Sequence, residues 1–175
     1  FSSTMTASSW SQNGQVSVTG QLRQVDLSKL VRPYVSRGTV TGEFTHRVTD
    51  RTDASSGEGT WKAEARDVLL EQIPLGNGRT MALTFSTISL GMTCRRSVCD
   101  VTELKGDGID GTVTGQGSVT LRQPLQQSQL ALSLTVIPGV GFASKAAGLG
   151  IPPLPPGTPF TFKLTGPLAQ ARVAL

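Results

Sequence analysis

The residues whose types and spacing come closest to chemistry in this 175-residue chain are glycines. Gly106, Gly108 and Gly111 stand as G-x-G-x-x-G within GDGIDGTVTGQGSVTL. In a dinucleotide-binding loop that spacing lets backbone approach a pyrophosphate, and a following helix offers its N-terminal amides to the phosphate charge. No helix follows here. Val113, Gly115, Gly117, Val119 and Leu121 share one parity while polar residues fill the other, the alternation of a half-buried strand. Asp107 and Asp110 would also repel a phosphate. Calcium is the other chemistry of paired aspartates in a glycine-rich turn, but repeat-type calcium sites stack several copies of such a segment and this one occurs once. The stretch therefore reads as a turn feeding a strand.

Two further sets invite the same scrutiny. Cys94 and Cys99, in TCRRSVC, are separated by four residues, a spacing that suits a disulfide closing a hairpin or loop in an oxidising compartment. A metal site would lack a second cysteine pair and a nearby histidine, and two reduced thiols remain the other alternative. His46 is the one histidine, so a Ser-His-Asp triad would have to use it, yet it sits in the alternating segment THRVTDR and the chain has no G-x-S-x-G elbow. No carboxylate stands in an apolar sequence context, and pairs such as Glu43 with Asp50 or Asp107 with Asp110 read as turn or surface residues. The expectation is a chain with no catalytic, cofactor or metal residues, and not an enzyme.

The elements that would carry these residues are nearly all strands. Charged residues make up only 16% of the chain, and 20 glycines and 10 prolines accompany abundant Thr and Val, a balance that favours strands and turns over helices. Alternation marks 15–23, 38–48, 60–72, 79–90, 101–105 leading into 111–121, 128–137 and 158–165. One helical turn is expected in VDLSKLVRPYV, capped by Asp26 or Ser28 and ended by Pro33, and another in GFASKAAGLG. Pro152, Pro153, Pro155 and Pro156 exclude a central strand from the loop that follows. These readings predict an all-β fold, a long curved antiparallel sheet of eight or nine strands in a meander, trough-like or partly closed, with one or two short helical turns. Residues 1–175 read as a single domain.

Such a sheet carries one apolar and one Thr/Ser/Gln face, so Val113, Val119, Leu121, Leu130, Leu132 and Leu134 are the candidate lining of an apolar groove. The net charge of +4 is spread among scattered Arg and Lys, and the nine aromatics do not interleave with a basic run, which argues against nucleic acid as a partner. A mild attraction to an anionic membrane surface is compatible with that charge.

The order of segments carries a resemblance. VDLSKLVRPYVSRGTVTGEF, SSGEGTWKAEARDVLLEQIP, LKGDGIDGTVTGQGSVTLRQPLQQSQLALSLTVIP and FTFKLTGPLAQARV together resemble the type II secretion system protein N family (GspN), bitopic inner-membrane proteins with a periplasmic domain. More distantly the chain resembles the AsmA-like envelope proteins. The first resemblance implies a non-enzymatic periplasmic domain at the bacterial inner membrane, an N-terminal membrane anchor outside this chain, other type II secretion subunits as partners, and a compartment that permits the Cys94–Cys99 disulfide. The second implies a sheet folded into an apolar trough that handles lipid. Neither supplies catalytic residues.

Overall fold

The computed structural model describes residues 4–12, 15–30, 35–48, 57–74, 80–122, 127–149 and 157–174. Ten strands run in sequence order: β1 (Thr4–Gln12), β2 (Gln15–Asp26), β3 (Val35–Val48), β4 (Glu58–Pro74), β5 (Thr80–Arg95), β6 (Val98–Gly108), β7 (Gly111–Thr120), β8 (Gln129–Pro138), β9 (Phe160–Pro167) and β10 (Arg172–Ala174). All belong to one sheet in which every strand pairs antiparallel with its neighbours in sequence, so the fold is an open meander. Two short helices interrupt it, α1 (Leu27–Leu30) between β2 and β3, and α2 (Val140–Gly148) between β8 and β9. The expected all-β meander is therefore observed.

Alternation makes the sheet two-faced. In register across β2 to β9 stand Gly20, Phe44, Trp61, Met92, Val101, Gly117, Leu132 and Leu164. On the opposite face Thr19, Thr45, Thr60, Thr93, Asp100, Ser118, Ala131 and Thr165 form the adjacent row. Hydroxyls bridge strands on that polar side, Ser8 to Thr19 at 3.0 Å and Thr45 to Thr60 at 2.9 Å. Each such pair is a unit of cross-strand stabilisation.

The main hydrophobic cluster gathers where α2 lies. Val35, Val68, Met81, Leu83, Phe85, Val113 and Val136 pack with Phe142 and Ala146 of α2. Fully burying a Val or Phe of this kind stabilises by about 1.5–3 kcal/mol. Phe142 also meets Phe160 of β9 with ring centroids 5.7 Å apart. In β5 the inward parity changes between Phe85 and Ile88, where Ser86 and Thr87 are both exposed. Facing that change on β4, Asp67 has a positive φ of 52°, an αL kink that re-aims the strand. Register shifts at Leu22/Val25, Leu70/Ile73, Gly91/Met92 and Val101/Lys105 bend the sheet further.

Several expectations are refined. β1 and β10 had no alternating apolar signal and form because β2 and β9 offer them an edge to pair with. The helical turn predicted at VDLSKLVRPYV is α1, and Asp26 Oδ1 accepts from the Ser28 N–H at 2.9 Å and the Ser28 hydroxyl at 2.7 Å. Pro33 and the four prolines of the loop lie outside the described residues.

Candidate functional site

The G-x-G-x-x-G segment is a hairpin. Gly108 pairs with Gly111 across a turn of Ile109 and Asp110, and β7 follows directly. Gly111 has φ +131°, and a Cβ there would collide with the Ile137 carbonyl of β8, which is why this turn ends in glycine. The aspartates part company. Asp107 is exposed, whereas Asp110 lies in the turn, one of the two places expected for it, but is only 1% exposed and so not at the surface.

Burial of Asp110 is compensated from three directions. Its Oδ2 accepts hydrogen bonds from the Thr84 N–H on β5 and from the Lys145 ammonium on α2. Lys145 also donates to the Ala82 carbonyl at 3.0 Å. The turn backbone joins in, since Gly139 N–H donates to the Asp110 carbonyl at 3.0 Å and Gly141 N–H to that of Ile109 at 2.9 Å. The carboxylate thus sits at the start of α2, where the helix dipole favours negative charge. This constellation fixes α2 to the sheet. Asp110 and Lys145 lie 35 residues apart, so no local pattern in the sequence could have paired them.

The two cysteines form a disulfide, with an S–S distance of 2.07 Å. They do not flank a loop of their own: β5 continues through Cys94, β6 starts before Cys99, and the two face each other directly in register. Only Arg96 and Ser97 make the turn, both in the left-handed region at φ 47° and 65°. Two-residue hairpin turns of this hand normally take Asn-Gly, because a side chain with φ > 0 costs about 1–2 kcal/mol per residue. Neighbouring segments brace the turn, with Arg96 N–H donating to the Gly57 carbonyl at 3.0 Å and Leu121 N–H to the Ser97 carbonyl at 2.7 Å.

The predicted groove residues fall on the apolar face. Val113, opposite Val136, belongs to the core beneath α2. Val119 pairs with Leu130, while Leu132 and Leu134 face Gly117 and Gly115. A Cβ on Gly115 would strike the side chains of Leu104 and Leu134, so these leucines already occupy the space above it. Leu121 follows β7 and is half-buried. Val119, Leu130, Leu132 and Leu134 are likewise half-buried. Among the described residues α1 and α2 cover only the end of this face that holds Val113, and the rows through Leu132 and Leu130 carry no second layer.

His46 lies in β3 opposite Gly59, and its imidazole fills the space that side chains at Gly57 and Gly59 would need. Among the described residues no group of three or more His, Cys, Asp or Glu is placed to hold a metal ion. No described helix is long and apolar enough to cross a membrane. The polar face carries an open depression of about 540 Å³ over β1 to β4, with Thr6, Ser8, Thr19, Glu43 and Lys62 among its lining. Comparison with protein-family models, with curated proteins and with solved structures returns no match for this chain.

Proposed function

We propose that this chain is a periplasmic domain of a non-enzymatic accessory component of a bacterial type II secretion system, working by contact with other secretion subunits at the inner membrane. The observation that supports contact as its mode of action is the β1 edge. Among the described residues no strand pairs with the outer side of β1, and its sequence TMTASSWSQ contains no charge and no proline. Sheet edges are ordinarily blunted by lysine, proline or a bulge, because their unpaired N–H and C=O groups template further pairing. An edge left open over nine residues is suited to strand addition by a partner. The order of sequence segments that resembles type II secretion protein N supplies the pathway, the periplasmic location and the expected membrane anchor.

The test is a photocrosslinking residue placed at Ser8 or Ser9 and activated in cells. Recovery of an inner-membrane secretion subunit from β1 is the expected result; crosslinks that never include one would remove the proposal.

A second reading, a lipid-binding envelope domain of AsmA-like type, is favoured by the apolar face. Its rows run unbroken from β2 to β9, and Val119, Leu130, Leu132 and Leu134 lie where no described element covers them. Among the described residues these half-buried side chains have no second layer over them, and contiguous apolar surface of this kind supports a binding role.

A further inference from the structure

We propose that the end of the sheet bearing the disulfide-clipped turn docks onto an anionic phospholipid surface. One row of the polar face supplies the geometry: Trp10, Ser17, Arg47, Glu58, Arg95 and Val98 stand in register across β1 to β6. At the usual strand spacing of about 4.8 Å this row forms a strip roughly 24 Å long. Arg96 projects from the turn beside it, and Arg122 follows Leu121, whose N–H is bonded to that turn. Arg47, Arg95, Arg96 and Arg122 are all exposed, and against them stand Glu58 and, in the next row of the same face, the exposed Asp100. Among the described residues the strip therefore carries more positive than negative charge.

It is also apolar at both ends. Trp10 is 54% exposed and Val98 40%, two of the few large hydrophobic side chains that the described surface leaves in water. Between them an open depression of about 400 Å³ has Arg47, Arg95 and the Ser17 and Thr45 hydroxyls on its walls, donors suited to phosphate oxygens, together with the Glu58 carboxylate that stands between the two arginines. Tryptophan with arginines on one linear edge is the combination that settles at a headgroup boundary, where the ring has an apolar body and a polar N–H and the guanidinium meets phosphate. The backbone supports a role in display. Arg96 and Ser97 keep φ 47° and 65° where glycine would be easier, and the Cys94–Cys99 bond and the hydrogen bonds to Gly57 and Leu121 hold them there. An outlier over-determined by its surroundings points to use of the side chains it presents. This inference does not depend on the secretion reading.

The experiment is co-sedimentation of the purified chain with vesicles of phosphatidylcholine alone and of phosphatidylcholine containing 30% phosphatidylglycerol, at low and high salt. Binding to the anionic vesicles alone, weakening as salt rises, is expected. The paired change Arg95→Glu with Arg96→Glu is expected to reduce it at least tenfold, because each basic residue near such a surface contributes about fivefold. A control of equal charge change on the same face, Arg23→Glu with Lys163→Glu, should reduce it far less. Trp10→Ser should weaken binding without altering its salt dependence. If the Glu pair disturbs folding by circular dichroism, Arg95→Gln with Arg96→Gln replaces it. No binding, equal binding to both vesicle types, or an equal loss in the control would each overturn the proposal.

Discussion

The Asp110 carboxylate has given up its water, and what replaces that water decides whether the α2 end of the sheet holds together. The Thr84 N–H and the Lys145 ammonium meet its Oδ2, while its Oδ1 rests beside Gly141 with no hydrogen-bond donor among the described residues. A side chain at Gly141 would collide with that oxygen, which explains a glycine inside the first turn of a helix. Removing the cationic partner of a buried carboxylate leaves it uncompensated, at a cost of up to about 3–5 kcal/mol, whereas the Lys145 side chain is 37% exposed and water reaches its ammonium when the carboxylate is removed. Lys145→Met, which strands the buried carboxylate, is therefore expected to lower the unfolding free energy read from urea denaturation by an amount approaching that range, and Asp110→Ala to lower it by less. A loss under about 1 kcal/mol in Lys145→Met, no more than a surface ion pair is worth, would show that the pair does not pin α2.

At the scale of elements, the β5–β6 hairpin departs from what its turn chemistry prefers. Arg96 and Ser97 occupy two left-handed positions, a place where Asn-Gly would lie without strain. Replacing them, Arg96→Asn with Ser97→Gly, is expected to raise stability by up to about 1 kcal/mol, less than the full αL penalty because glycine also frees the unfolded chain. Thermal unfolding of the oxidised variant measures this. A drop in melting temperature would mean that the arginine and serine side chains contribute contacts worth more than the backbone relief. The same variant carries one charge fewer on the basic strip, so a gain in stability paired with weaker vesicle binding is the joint expectation.

At the scale of the whole molecule, a meander in which each strand pairs with its sequence neighbours builds one continuous apolar face and two edges. The face and the β1 edge lead to different partners, and one measurement separates them. Native mass spectrometry of the purified, unreduced chain, repeated under denaturing but non-reducing conditions, reads both the disulfide and any bound ligand. A chain two hydrogens lighter than its reduced mass is expected from the Cys94–Cys99 bond. An added lipid mass that disappears on denaturation would favour the apolar face as the working surface, whereas a bare chain would favour protein contact at the edge.

Much of this architecture was legible because it is local. Alternation with period two is a property of a few consecutive residues, so Val113 to Val119 and Leu130 to Leu134 could be assigned to one face before any fold was known, and hairpins between consecutive strands then put them side by side. The spacing of Cys94 and Cys99 was compatible with a bridge for the same reason. The tertiary structure alone decided the rest. It placed Asp110 in the interior with Lys145, recruited TMTASSWSQ as an edge strand without an alternating signal of its own, and aligned Trp10 with Arg47, Arg95 and Val98 across β1 to β6. The Asp110–Lys145 pair and the row through Trp10 join segments far apart in the chain, while β1 takes its place by pairing with the adjacent β2; in each case the free energy belongs to the pair and leaves no mark on either segment read alone.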